Sequence, residues 1–324
     1  MGVRLLMLSG GEHEALYAPT WPEQLREAIP DIEVYVCDSI DEAKKHIPKA
    51  DAAFGNIVPE LFELGPNLKW IMSPWAGPKA GYYHQSLIES DVTVTNVRGI
   101  FGDYISAHIM SLVLALAIRL DEYIPQQLQR QWHPLGKGTF LPDSTAVIVG
   151  VGGIGSETAR LCAAFGMTVL GIDGRAQKLP TGVSELHTPD ELVSVLPRGD
   201  FVIVTVPETP ETQGLFSADL FALMKPTAFF INIGRGATVV LEDLAAALET
   251  RIISGAALDV FQVEPLPSDH ALWTTPRVII TPHVAAGPGD ARLDQRRAEI
   301  FIDNCIRFNE GRPLRNIVDK AHWF

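Results

Sequence analysis

VIVGVGGIGSETARL, residues 147–161, is the stretch on which the reading of the fold turns. An apolar, β-branched run marks a buried strand. Gly150, Gly152 and Gly155 follow it as G-x-G-x-x-G, and a helical pattern begins at once. Gly150 permits the tight turn, Gly152 lets backbone approach a pyrophosphate, and Gly155 lets the helix pack on the sheet. Gly153 and Ile154 open that helix, whose N-terminus offers N–H donors and the positive end of its dipole. Asp173 closes the next strand, 18 residues beyond Gly155. A carboxylate there accepts hydrogen bonds from ribose hydroxyls and repels a 2′-phosphate, which favours NAD. Arg175, two residues on, can meet a 2′-phosphate, so NADP stays open.

Outward from this loop, strand-like and helix-like segments alternate along the whole chain, the pattern of an α/β protein with parallel sheet. Before it, strands are expected at Val3–Leu8, Ile32–Val36, Ala52–Phe54, Trp70–Met72 and Val92–Val94, with helical connections at Glu23–Ala28 and Ile40–His46. The segment 102–120, GDYISAHIMSLVLALAIRL, reads as one helix buried almost all round, between domains or between subunits. Six strands follow: Ala146–Val149, Thr168–Ile172, Phe201–Val206, Ala228–Ile233, Ala256–Val260 and Val278–Thr281. They suit a doubly wound sheet of order 3-2-1-4-5-6. The tail from Asp290 is amphipathic and helical; it could return to the first unit or cap the second.

Length and composition bound the rest. With 324 residues, 47% hydrophobic and 20% charged, two domains with ample core are expected. The net charge of −13 shows no basic cluster, which argues against nucleic acid or an anionic membrane as partner. Cys37, Cys162 and Cys305 lie far apart, so neither a disulfide framework nor a metal site is expected, and a cytoplasmic setting fits best. The opening MGVRLLMLSGG has an apolar run too short for a signal peptide, and no apolar stretch approaches the ~20 residues of a membrane span.

In a doubly wound sheet, ligands bind beyond the carboxyl ends of the strands. There the sequence places Arg235 after Ile233, Glu264 after Val260 and His283 after Thr281. Taken singly these are a surface pair, a loop carboxylate and a structural histidine. Three successive strand ends of this kind point instead to one site. Arg235 can hold a carboxylate and an adjacent carbonyl by forked hydrogen bonds. His283 has the intrinsic pKa to give or take a proton near neutrality, and Glu264 on its far nitrogen would favour the imidazolium and fix the ring.

These motifs resemble the D-2-hydroxyacid dehydrogenases. The likeness runs through GVGGIG, VPETPET, INIGRGATVV, GAALDVFQVEPLP and ITPHVAAG, and more loosely through LKWIMSPWAGPKA and VTVTNVRGIF. It implies a two-domain α/β fold, a doubly wound parallel-sheet (Rossmann) cofactor domain over 101–288 inserted into a flavodoxin-like substrate domain over 1–100 and 289–324. It implies a homodimer through the inserted domain. Arg235, Glu264 and His283 carry the family's catalytic positions. By the same resemblance Trp75, Ala76 and Gly77 bind the substrate carboxylate through backbone amides, and Asp259 meets the nicotinamide amide. Val206, Pro207 and Thr212 line the adenosine side, and Ile233, Gly234 and Ala285 complete the cofactor contacts.

Two residues depart from the family pattern. His108 stands where many members have Glu, and the bulk of Trp75 favours substrates of glyoxylate, pyruvate or hydroxypyruvate scale. The stretch SDHALW, 268–273, looks like the glyoxylate/hydroxypyruvate reductase branch. The implied activity is hydride transfer between a nicotinamide cofactor and a short 2-keto or D-2-hydroxy acid. The alternative is a dinucleotide-sensing, corepressor-like binding protein on the same scaffold.

Overall fold

A computed structural model of the chain describes residues 2–9, 17–77, 81–176, 178–286 and 290–323. The chain divides into two compact units, Phe101–Pro288 and Met1–Ile100 with Gly289–Phe324.

In the discontinuous unit, strands β1 (Arg4–Leu8), β2 (Glu33–Cys37), β3 (Ala52–Phe54), β4 (Trp70–Met72) and β5 (Thr93–Thr95) form a parallel sheet of order β2-β1-β3-β4-β5. Side chains alternate across a strand, so each strand supplies two layers. Leu6, Leu8, Ala53, Ile71 and Val94 fill one. On the other, the rings of Phe54 and Trp70 lie 4.7 Å and 6.4 Å from that of Phe301. Phe301 belongs to the helix Ala291–Asn309, and Trp21 of the helix Trp21–Ala28 completes the cluster at 5.5 Å. The tail left open by sequence is thereby settled into this unit by aromatic burial, about 1.5–3 kcal/mol for a ring of this size. The helix starts on Asp290, whose side chain accepts from the N–H groups of Arg292 and Leu293 at 2.8 Å and 3.2 Å.

The second unit holds a parallel sheet of seven strands: β6 (Thr145–Val149), β7 (Thr168–Ile172), β8 (Glu185–His187), β9 (Phe201–Val204), β10 (Phe229–Asn232), β11 (Gly255–Leu258) and β12 (Val278–Ile280). The order is β12-β11-β10-β9-β6-β7-β8. Val147, Val149, Val202 and Val204 enter one core layer; Ala146, Ile148, Phe201 and Ile203 enter the other. Burial on both faces is why these strands read as continuous apolar runs.

This corrects the expectation of six strands. Glu185–His187 is only three residues, polar at both ends, and gives no periodic signal, yet it takes the outer place beside β7. The strand starting at Phe201 is therefore the fourth of the unit, beside β6 rather than at the far edge. A second correction concerns the long helix. It runs Gly102–Ala117 and breaks where Arg119 adopts a left-handed φ of 64°; Leu120–Leu128 continues at a bend of 70°. The first helix buries Ile109, Met110, Leu112, Val113, Leu116 and Ala117, while Asp103, Ala107 and Ser111 leave an exposed stripe, so burial is one-sided in this chain. Among the described residues no single helix is long and apolar enough to cross a membrane.

Candidate functional site

The glycine loop is built by steric necessity. Gly150 has φ 95°, a left-handed conformation suited to glycine, and a Cβ on Gly155 would lie 1.9 Å from the Gly150 carbonyl oxygen. By contrast, a Cβ on Gly152 or Gly153 would meet nothing within 4 Å. The loop is thus packed tight on its sheet side and open in front of the helix Gly153–Ala164, which fits a pyrophosphate on that N-terminus. Three groups hold it in place. Val151 N–H donates to Asp173 Oδ2 at 2.9 Å, Thr205 Oγ1 donates to the Gly150 carbonyl at 2.6 Å, and Ser156 Oγ donates to the Val151 carbonyl at 2.6 Å. Thr205 and Ser156 escaped the sequence reading, although a hydroxyl residue at the end of a central apolar strand is a usable signal. Ile154 packs into the core beneath.

Asp173 is more occupied than its ribose-binding assignment supposes. Its other oxygen accepts from the N–H groups of Arg175 and Ala176 at 2.8 Å and 3.0 Å. Arg175 itself is exposed.

Because β9 adjoins β6, the loop following Thr205 abuts the glycine turn: a Cβ on Gly150 would approach Val206 Cγ1 to 2.9 Å, and one on Gly234 would approach the Val206 carbonyl to 2.5 Å. Thr212 Oγ1 donates to the Pro207 carbonyl at 2.8 Å and accepts from Thr209 N–H at 2.8 Å, so its hydroxyl staples the VPETPET turn.

Arg235 follows β10 in a loop tied down by buried polar groups. Asn232 Nδ2 and Thr238 Oγ1 both donate to its carbonyl, at 3.0 Å and 2.7 Å, and Asn232 Oδ1 accepts from Gly234 N–H. Ile233 is buried beside it. Burial pulls the Arg235 guanidinium below its ordinary value, while the charges of Glu208 and Glu264 act in the opposite direction; it stays a cation throughout the working range. The next loop lies directly against it, since a Cβ on Gly236 would fall 1.9 Å from the carbonyl carbon of Phe261.

Glu264 joins two strand ends. Oε1 accepts from Phe261 N–H at 3.0 Å and Oε2 meets His283 Nδ1 at 2.9 Å. An ionised carboxylate only accepts, so Nδ1 carries the hydrogen and Nε2 is the nitrogen turned away from the pair. The His283 side chain is 48% exposed, Glu264 27%. Asp259, expected at the nicotinamide amide, lies under the same loop at 1% exposure, accepting from Thr281 Oγ1, Val284 N–H and Ala285 N–H at 2.5, 3.0 and 3.1 Å. Arg235, Glu264 and His283 therefore follow three adjacent strands on one edge of the sheet.

Trp75, Ala76 and Gly77 belong to the other unit, after β4. Ser73 Oγ donates to the Trp75 carbonyl at 3.0 Å, Asn96 Nδ2 donates to the Ala76 carbonyl at 2.9 Å, and the Trp75 ring stands edge-on to Tyr82. Asn96, buried and absent from the sequence reading, is what orients the peptide between Ala76 and Gly77.

A helix-headed glycine turn whose neighbouring strands deliver an arginine and a carboxylate-bound imidazole defines a class, the dinucleotide-dependent oxidoreductases. Residues 110–285 match the family model described as D-isomer specific 2-hydroxyacid dehydrogenase, NAD binding domain. A family protein from Aeromonas salmonicida subsp. salmonicida A449 is similar over 99% of this chain and 100% of its own, at 33% identity and TM-score 0.80. A D-isomer specific 2-hydroxyacid dehydrogenase from Xanthobacter autotrophicus Py2, in complex with NADPH and MES, is 28% identical over all of both chains, with TM-score 0.86. The NADPH-dependent glyoxylate/hydroxypyruvate reductase of Sinorhizobium meliloti, in complex with NADP and sulfate, is 28% identical over all of both chains, with TM-score 0.82. The chain belongs to the D-isomer specific 2-hydroxyacid dehydrogenase family.

Proposed function

We propose that this protein is an NAD(P)H-dependent reductase of short 2-keto acids, of glyoxylate or hydroxypyruvate scale, giving D-2-hydroxy acids. The observation that carries the reading is the 2.9 Å bond between His283 and Glu264 beside the buried loop of Arg235. A bound reduced nicotinamide supplies the hydride. Arg235 holds the substrate carboxylate and keto oxygen by forked hydrogen bonds. As the carbonyl π pair moves onto oxygen, His283 gives that oxygen its Nε2 proton, and Glu264 keeps the ring oriented and balances the imidazolium charge. In the reverse direction the neutral ring takes the proton back. The amides around Ala76 and Gly77 add hydrogen bonds to the carboxylate, and Trp75 limits chain length.

Between the two cofactors, we infer a preference for NADPH. All three hydrogen bonds to the Asp173 carboxylate come from backbone N–H groups, one in the glycine loop and two just beyond Asp173 itself, which occupies both oxygens, and exposed Arg175 is suited to a 2′-phosphate. Self-association is part of the same proposal. Ile118, Ile124, Leu128, Trp132 and Phe140 are exposed within one stretch of the second unit, the composition of a surface that a second copy covers.

The test is a panel of 2-keto acids followed at the reduced-nicotinamide absorbance with NADPH and NADH in turn. Turnover of glyoxylate or hydroxypyruvate, with kcat/KM about tenfold higher for NADPH, is expected; that ratio corresponds to about 1.4 kcal/mol, one charge-assisted contact. Cofactor binding without turnover of any panel member would instead favour a dinucleotide-sensing protein.

A further inference from the structure

Glu264 fixes the ring of His283, but its backbone needs a separate explanation. His283 has φ 53°, in the left-handed region that non-glycine residues rarely occupy, and such a conformation persists only where the surroundings over-determine it. The restraint is Asp259. Its carbonyl accepts from His283 N–H at 2.8 Å, and its buried carboxylate accepts from the next two amides, Val284 and Ala285.

The carboxylate is restrained in turn. Thr281 Oγ1 lies 2.5 Å from Asp259 Oδ1 and spends its single hydrogen there. His108 Nε2 lies 3.2 Å from Thr281 Oγ1 and 3.5 Å from Asp259 Oδ1. With the hydroxyl hydrogen committed, the histidine has to be the donor, so the hydrogen sits on Nε2. His108 stands on the helix Gly102–Ala117, which is anchored in the core by Ile109, Leu112 and Val113. A line of hydrogen bonds thus runs from a core helix, through His108, Thr281 and Asp259, to the two amides that follow His283.

We propose that His108 is a positioning residue for His283, acting through Thr281 and Asp259. This rests on the proton-transfer role given to His283 above, and it assigns a purpose to the histidine that departs from the family pattern. His108 touches no reacting atom; it donates to Thr281 Oγ1, the hydroxyl that in turn holds the Asp259 carboxylate and so the conformation of the loop.

Amide hydrogen exchange over residues 281–286 tests this, read beside kcat, KM and cofactor Kd, in His108→Ala, His108→Gln and Thr281→Val. In the alanine variant the Val284 and Ala285 amides are expected to exchange at least about tenfold faster. The same variant should lose about tenfold in kcat with KM and cofactor Kd within about twofold of wild type, the pattern of a group misplaced for the chemical step. Glutamine, which keeps an N–H donor, should restore both. Thr281→Val, nearly equal in volume, should loosen the same amides, and it decides the matter if the alanine variant does not fold. Unchanged protection at 284 and 285 overturns the proposal, as does faster exchange with kcat intact, which would leave His108 a purely structural tie. If wild-type protein turns over no 2-keto acid, the reaction assigned above fails, while the exchange measurement still decides whether His108 holds the loop.

Discussion

In the five-stranded sheet the chain leaves its strands through Ser9, Asp38, Gly55, Ser73 and Asn96; in the seven-stranded sheet it leaves three neighbouring strands toward Arg235, Glu264 and His283. Both sheets are all parallel, both start in their interior and wind outward in two directions, and both bury alternate residues in two layers. Both also keep ion pairs at the opposite, amino ends: Arg4 with Asp51 in the first, Arg198 with Glu185 and Lys225 with Asp200 in the second. The difference lies in the few residues after each carboxyl end. One unit offers two hydroxyls, an amide side chain, a glycine and a single carboxylate, with no cation or imidazole among the five, which suits holding a ligand. The other offers a cation, a carboxylate and an imidazole, which suit moving charge and protons. Winding supplies the frame, and the chemistry resides in what the frame presents.

The sharpest way to break this contrast is His283→Ala. If the seven-stranded unit alone carries proton transfer, kcat should fall by about 10²–10⁴ while NADPH binding, read by fluorescence titration, stays within about twofold. A kcat near wild type would remove the division of labour. Asn96→Ala addresses the other unit, where a binding defect is expected. Losing the bond to the Ala76 carbonyl should raise KM for glyoxylate about tenfold, the worth of one hydrogen bond, with kcat changed by less than about threefold. A larger fall in kcat than rise in KM would mean that the five-stranded unit takes part in the chemical step.

The smallest effect concerns the amino ends. Arg198, and after it His187, holds the Glu185 carboxyl down at about 2. A carboxyl whose folded pKa is depressed stabilises the fold fully above its ordinary range of ~4.3, and the contribution disappears as pH falls through the folded value. Wild type should therefore exceed Glu185→Gln in Tm by a small, constant margin at neutral pH that shrinks below about pH 4 and vanishes near pH 2. The pair is exposed and screened, so the margin should also narrow with salt, and kcat should not change.

Much of this was legible in the chain. The glycine loop could be read because its strand, turn and helix are contiguous, and each glycine answers a local steric demand. Arg235, Glu264 and His283 could be located because each follows its own apolar run within a few residues. The short strand Glu185–His187 could not, since three residues carry no period, and missing it displaced the strand at Phe201 to the wrong side of β7. The break at Arg119 was equally hidden: the apolar pattern runs straight through a left-handed residue whose guanidinium is tied to Glu122 and to the distant Leu135 carbonyl.

What the sequence determined by itself was therefore everything governed by neighbours along the chain: periodicity, turn chemistry, and which residue type stands just past each strand. Tertiary structure alone decided which strand lies beside which, the occupation of both Asp173 oxygens by backbone amides, and the line from His108 to the amides after His283. The physical reason is range. Backbone sterics and side-chain alternation act over a few residues, whereas a hydrogen bond between positions as distant as 108 and 281 exists only after burial has brought two separate elements together.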